Sequence, residues 1–220
     1  MSNEVELKFL VTDDVFSYLE QVLSSLGAKE QQDQQLENIY FDTADQQLRA
    51  LDCGLRIRTY SGKHEQTIKL AGQAVGGLHQ RPEYTLPSNN PWPDLRAFPA
   101  EIWPEGTDVG LLQQSLTTLF RTDFHRRTWT VALQDDSLIE IAYDIGSIDA
   151  NGQNEPINEV ELEIVSGPVA PLFKLAELLV TRPGWHLGCA SKAQRGYRLA
   201  GLSAEPDVRR MGFVPVTPEQ

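Results

Sequence analysis

Charged and apolar residues alternate in several short segments of this chain. Residues 4–8 read Glu-Val-Glu-Leu-Lys, so in a β-strand the charged side chains would share one face and the apolar ones the other. The same alternation recurs at residues 55–58, 80–84, 139–144 and 159–164. A single such strand is typical of a sheet with one solvated face. Five strands that each gather charge on one face indicate instead a shared, charged interior.

The remaining pattern predicts eight strands and a few helices. Strands are predicted at residues 4–11, 38–43, 55–60, 65–70, 81–86, 124–133, 137–149 and 157–165, with residues 28–36 as a polar lead-in and 134–136 as a hairpin turn. Helical spacing is present at residues 15–26, 109–119, 168–179 and 190–199, with a short helical connector near residues 48–51. Because the strands are mostly joined as hairpins, the fold expected is a mainly-β α+β domain. It would be a closed eight-stranded antiparallel β-barrel with peripheral helices and room inside for one small ligand.

The residue types on the charged faces indicate what that interior binds. Like charges two residues apart repel each other unless a ligand of opposite charge lies between them. Paired carboxylates such as Glu161 and Glu163 suit a divalent cation, whereas paired arginines such as Arg56 and Arg58 suit phosphate. The sequence therefore predicts a closed sheet lined by acids that hold metal and by bases that hold a polyanion.

Composition narrows the functional classes. The 220 residues suffice for one sizeable domain, and the net charge of −12 argues against non-specific nucleic-acid binding, which needs surplus Lys and Arg. Cys53 and Cys189 form neither a metal-ligand spacing nor a disulfide framework, and both are expected to be buried small side chains. The N-terminus lacks the pattern of a signal peptide, and no apolar run approaches about 20 residues. A cytoplasmic protein that does not contact membranes is expected.

With these residues in place, the chain resembles the CYTH superfamily, also called triphosphate tunnel metalloenzymes. The family signature Glu-x-Glu-x-Lys is matched by Glu4, Glu6 and Lys8 on the first strand. The further matches follow in family order: Tyr40-Phe41-Asp42-Thr43, Leu55-Arg56-Ile57-Arg58, Lys69, Arg81-x-Glu83, Arg126, Asp144-x-Gly146, Glu161-x-Glu163 and Ser191-Lys192. The first signature is weak by itself, but the ordered set is specific.

The resemblance also implies a domain organisation. It covers residues 1–200, which are expected to form a CYTH-like triphosphate tunnel domain, with residues 201–220 as a C-terminal tail or linker. The similarity is greatest to the bacterial inorganic triphosphatases. In many of those a CYTH domain precedes a helical CHAD domain, which is associated with polyphosphate, so a CHAD domain is a possible partner.

The resemblance implies a role for each matching residue. One or two Mg²⁺ or Mn²⁺ ions would be held by Glu4, Glu6, Asp144, Glu161 and Glu163. The phosphates would be bound by Lys8, Arg56, Arg58, Lys69, Arg81, Arg126 and Lys192. Lys192, Glu6 and Glu163 would carry catalysis, with Lys192 either protonating the leaving phosphate or deprotonating the attacking water. Glu140 and Glu159 are expected to form ion pairs, Glu83 to pair with a nearby base, and Tyr40 and Asp42 to brace the barrel.

The activity implied is metal-dependent hydrolysis of inorganic triphosphate to pyrophosphate and phosphate. Three alternatives remain open at this point. A class IV adenylyl cyclase or a thiamine triphosphatase would use the same fold on another triphosphate. A non-catalytic polyphosphate-binding module would need the bases but not both pairs of carboxylates.

Overall fold

The computed structural model describes residues 2–133 and 137–203. Its antiparallel sheet contains the strands β1 (Ser2–Val11), β2 (Lys29–Thr43), β3 (Gly54–Tyr60), β4 (Lys63–Lys69), β5 (Gln73–Val75), β6 (Leu78–Ser88), β7 (Leu116–Ala132), β8 (Leu138–Ala150), β9 (Gln153–Ser166) and β10 (Trp185–Leu187). The helices are α1 (Phe16–Ser25), α2 (Gln47–Ala50), α3 (Val109–Ser115), α4 (Ala170–Leu179) and α5 (Lys192–Leu199). The predicted turn at residues 134–136 and most of the predicted tail, residues 204–220, lie outside the described residues.

Eight of the strands close into a ring. Their order is β1–β9–β8–β7–β2–β3–β4–β6, and β6 pairs with β1 to complete the circle. The short strands β10 and β5 extend the sheet beside β1 and β6. The prediction of a mainly-β fold, closed by eight antiparallel strands with helices at the periphery, is therefore confirmed.

Apolar residues cover the outside of the ring. On β9, Val160 and Leu162 are fully buried and pack with residues of α1 and α4, including Leu19 and Leu175. Since successive side chains of a strand point to opposite faces, Glu161 between them points inward. On the opposite side of the ring, Leu95 and other residues of the segment 95–116 cover β2, β3 and β4. The helices thus bury the apolar faces, and the charged faces are left to line the interior.

Helix α5 packs against the inner face at one end of the ring. A Cβ on Gly196 would lie 2.0 Å from the Phe120 ring, so the helix approaches β7 as closely as a glycine permits. Phe120 in turn stacks on Tyr40, with ring centroids 4.5 Å apart. Asp42 accepts hydrogen bonds from the Tyr197 hydroxyl (3.0 Å) and from backbone amides of α2. Tyr40 and Asp42 therefore brace this end of the ring, as expected.

Three expectations from the sequence are wrong. The helix predicted at residues 109–119 ends at Ser115, because Leu116 is extended and begins a long pairing of β7 with β2. Most of the polar segment 28–36 belongs to β2; its side chains are largely exposed, so no apolar alternation revealed the strand. Cys53 is buried, but Cys189 is exposed.

Within the described residues, no helix is both long and apolar enough to cross a membrane.

Candidate functional site

The interior of the ring contains a charged cavity of about 220 Å³. Seven Lys or Arg residues and six Glu residues line it, together with a few neutral side chains. The bases are Lys8, Arg56, Arg58, Lys69, Arg81, Arg126 and Lys192, and the acids are Glu4, Glu6, Glu83, Glu140, Glu161 and Glu163. The structure thus brings together all seven predicted phosphate ligands and four of the five predicted metal ligands. The fifth, Asp144, is fully buried next to Lys192 and Arg126.

One group of acids carries surplus negative charge. The strand register places Glu6 opposite Glu163, and Glu163 opposite Glu140, on the neighbouring strands β1, β9 and β8. Like charges at such positions destabilise a sheet. Burial, reinforced by Glu4, raises the pKa of Glu163 to about 8. Burial and Glu161 likewise raise the pKa of Glu6, whose nearest cation, Lys8, is 3.9 Å away. These carboxylates are suited to a hard divalent cation, which would relieve their repulsion.

A second group of acids is neutralised by the protein itself. Carboxylate oxygens of Asp144, Glu159 and Glu161 lie within 4.8 Å of one another. The ammonium of Lys192 lies among them, 2.6 Å from Asp144 and 3.0 Å from Glu161, and also pairs with Glu159. Burial alone would raise the pKa of Glu161, but Lys192, Lys8 and Arg126 hold it well below its ordinary value. A cation at this second group must therefore displace or share contacts that Lys192 already makes.

The bases also form two groups: some are paired with carboxylates of the protein, and others have few carboxylates nearby. Lys69 lies between Glu4 (2.5 Å) and Glu83 (3.0 Å), and Arg126 donates hydrogen bonds to Asp144 (2.6 and 2.7 Å). The remaining three arginines, on β3 and β6, have fewer close carboxylates.

Arg56, Arg58 and Arg81 form a wall of surplus positive charge. The buried Nε of Arg56 has no hydrogen-bond partner among the described residues; burial alone would lower the pKa of Arg56, but Tyr40 and Glu83 keep it above its ordinary value. The nearest carboxylate to Arg58 is 3.8 Å away, and burial together with Arg56 and Arg126 lowers the pKa of Arg58 to about 9. Guanidinium groups in this state favour a bound polyanion, because phosphate oxygens accept two hydrogen bonds from the fork of one arginine.

The sequence did not assign a role to His79, which is 1% exposed and contacts Arg81. The signal that could have found it is the spacing on β6, where residues 79, 81 and 83 share one face of the strand. Expected ion pairs are present at Glu159, which also contacts Arg195 (3.1 Å), and at Glu83.

The raised pKa of Glu163 predicts how stability depends on pH. Its folded pKa lies above that of an exposed glutamate, so its favourable contribution is complete at low pH and is lost as the pH rises through about 8. In metal-free buffer, the free energy of unfolding of Glu163→Gln should therefore increase relative to that of the unmodified protein between about pH 5 and pH 9. Chemical denaturation of both proteins across this range measures the difference, and parallel curves would contradict it.

The sequence matches a known domain family and a named relative. A sequence model of the CYTH domain matches residues 2–197. The chain is 37% identical over 204 residues to a Haemophilus influenzae protein named inorganic triphosphatase, and the match covers 90% of this chain and 55% of that protein. The chain thus spans about half the length of this curated relative.

Two solved structures share the fold. A Hippeastrum protein described as an adenylyl cyclase homologue with a dominant triphosphatase activity aligns with a TM-score of 0.59 at 15% identity, covering 92% of this chain and 98% of that one. A Pyrococcus horikoshii protein aligns with a TM-score of 0.57 at 17% identity, covering 87% and 97% of the two chains. At these identities the likeness concerns the fold alone.

Proposed function

Because the chain belongs to the CYTH domain family, we propose that it is a metal-dependent triphosphatase that cleaves inorganic triphosphate to pyrophosphate and phosphate inside the ring. The observation that carries this proposal is that the cavity inside the ring has a wall of surplus positive charge and a separate group of surplus carboxylates. The positive wall suits a polyphosphate, and the carboxylates suit a metal ion bound with it. The named activity of the Haemophilus influenzae relative supports the same reaction.

The residues present fit a hard divalent metal ion. Glu6 and Glu163 would hold it, with Glu4 on the same face of β1, since their oxygens are the donors that Mg²⁺ and Mn²⁺ prefer. Asp144 and Glu161 would hold a second ion only if Lys192 moved away from them. When bound, such an ion neutralises phosphate charge and lowers the pKa of a coordinated water.

The bases would bind and orient the triphosphate. Arg56, Arg58 and Arg81 would present guanidinium groups to phosphate oxygens, and the one carboxylate paired with Arg58 is as far as 3.8 Å away, so binding would break no short ion pair. Lys8, Lys69 and Arg126 are already paired with carboxylates and would contribute charge from β1, β4 and β7. Hydrolysis then depends on holding the chain of phosphates in line and on stabilising the charge that moves to the leaving group.

Lys192 would supply a proton. Burial alone would lower its pKa, but Asp144, Glu159 and Glu161 raise it above its ordinary value, so the side chain is an ammonium in this state. Of the two roles considered from the sequence, donation of a proton to the leaving phosphate fits this charge. Deprotonation of the attacking water would first require Lys192 to lose its proton among three carboxylates.

We extend the proposal to the organisation of the protein. Residues 1–200 would form the catalytic domain, with residues 201–220 as a linker, and a CHAD domain is the partner to be tested for. The greater length of the Haemophilus influenzae relative is consistent with a further domain. A cytoplasmic location agrees with two cysteines that form no disulfide.

The test is product analysis with three substrates. The protein is incubated with Mg²⁺ or Mn²⁺ and with inorganic triphosphate, ATP or thiamine triphosphate, and the products are separated by ion-exchange chromatography. We expect pyrophosphate and phosphate from inorganic triphosphate, and no turnover after addition of EDTA. Cyclic AMP from ATP would assign a cyclase, preferred cleavage of thiamine triphosphate would assign that substrate, and binding without turnover would assign a polyphosphate-binding module.

A further inference from the structure

His79 lies beside Arg81 on the same face of β6 and contacts two functional segments at once. Its Nδ1 is 3.3 Å from a guanidinium nitrogen of Arg81, and its Nε2 is 3.1 Å from the carbonyl oxygen of Gly188. The side chain is buried, and on β6 it is directly opposite Glu6 of β1. It is therefore held at the cavity without being part of its lining.

The two contacts together define the state of the imidazole. Arginine can only donate a hydrogen bond, so Nδ1 must accept and cannot carry a proton. The carbonyl of Gly188 can only accept, so Nε2 must donate. Both hydrogen bonds form at the same time only in the neutral tautomer with the proton on Nε2, and a charged imidazolium would turn an N–H toward the guanidinium of Arg81.

Gly188 connects this histidine to the segment that leads into α5. Its amide donates to the carbonyl of Lys8 (2.9 Å), and a Cβ at this position would lie 2.6 Å from Cγ of Lys8. Lys192 follows four residues later at the start of α5. His79 thus links Arg81 on β6 with the backbone that precedes Lys192.

We propose that His79 is a positioning residue for triphosphate, which fixes the guanidinium of Arg81 through Nδ1 while its Nε2 anchors it on Gly188. This inference rests on the proposed function, because it assigns Arg81 a phosphate to hold. An arginine held in one orientation loses less conformational freedom when it binds its ligand. Loss of the contact should therefore weaken substrate binding and leave the chemical step largely intact.

Two amide variants separate the two hydrogen bonds. In His79→Gln the amide can reach Gly188 but leaves Arg81 without its acceptor, whereas in His79→Asn an oxygen remains near the position of Nδ1. We expect His79→Gln to raise KM for triphosphate by about tenfold with kcat within about twofold, the size expected for one hydrogen bond to a charged donor. His79→Asn should stay within about threefold of the unmodified KM.

A double-mutant cycle identifies the partner. In an Arg81→Met background, His79→Gln should change KM by less than about twofold, because the group it positions is gone. A long-range ¹H–¹⁵N spectrum of the unmodified protein should show His79 with Nδ1 unprotonated and Nε2 protonated, and the Nδ1 shift should move in Arg81→Met. The matched control is His64→Gln on β4, whose histidine contacts Thr59 (2.9 Å) and should retain the unmodified KM.

An unchanged KM in His79→Gln would overturn the inference. An equal rise in KM in the unmodified and Arg81→Met backgrounds, or a protonated Nδ1 of His79, would overturn it too. These results leave the proposed function standing as long as the unmodified protein cleaves triphosphate. If the unmodified protein neither binds nor cleaves triphosphate, the proposed function and the inference fall together.

Discussion

Glu163→Gln is expected to lower kcat for triphosphate by about 10³-fold, because a metal that neutralises phosphate charge contributes several kcal/mol to the transition state. The amide is neutral and a weaker ligand for a hard cation, so the surplus charge that would attract the metal is reduced. Arg56, Arg58 and Arg81 remain in place, and some triphosphate binding should persist. Phosphate release under saturating substrate measures kcat, and calorimetry with triphosphate measures binding.

Glu6→Gln should behave in the same way, because Glu6 is opposite Glu163 in the ladder and burial raises its pKa as well. Glu20→Gln on α1 is the matched control, since this glutamate is exposed and lies outside the ring. Full activity in Glu6→Gln or Glu163→Gln would remove that residue from the metal site. Loss of both turnover and folding, seen as a lost thermal transition, would mean that the carboxylate is needed for structure instead.

Lys192→Met is expected to destabilise the fold and to inactivate it. Removing the ammonium leaves Asp144, Glu159 and Glu161 with one cation fewer, and breaking a buried ion pair from one side typically costs about 3–5 kcal/mol. Loss of a proton donor to the leaving phosphate should lower kcat by about 10²-fold or more. Chemical denaturation in EDTA and single-substrate kinetics measure the two effects separately.

A second substitution separates the effect of Lys192 on stability from its role in the reaction. Adding Glu159→Gln to Lys192→Met removes one of the carboxylates that has lost a cation, although Glu159 still pairs with Lys8 (3.4 Å) and Arg195 (3.1 Å). Part of the lost stability should therefore return while activity stays low. Lys174→Met on α4 is the control, because this lysine is exposed. A Lys192→Met variant as active as the unmodified protein would exclude Lys192 from the reaction, whatever its stability.

The strands with charged inner faces could be predicted because the pleat repeats every two residues. Glu159, Glu161 and Glu163 share a face in any strand that contains them, and the apolar residues between them must face a core. Prediction from alternation fails for the polar first half of β2, because its side chains are mostly exposed and show no alternation of apolar and polar residues. The end of α3 was misplaced because Leu116 continues the helical spacing locally but pairs with Thr43 in the sheet.

The pairing of acids with bases could not be predicted from spacing along the chain. The sequence predicts Asp144 and Glu163 alike as metal ligands, but the first is held by Arg126 and Lys192 whereas the second faces other carboxylates. That difference depends on which strands are neighbours and in which register. His79 escaped assignment likewise, because its partner Gly188 lies 109 residues away in the chain.

The sequence by itself determined which side chains share a face of each strand, and hence that a closed sheet would place acids and bases inside it. Local periodicity suffices for this, because alternation is a property of the backbone of a single strand. Only the tertiary structure decided how the charges are shared. The register of eight strands and the position of α5 set the distances between groups far apart in the chain. Those distances leave Glu6 and Glu163 facing mainly other carboxylates, and Arg56, Arg58 and Arg81 without a carboxylate in hydrogen-bond contact among the described residues.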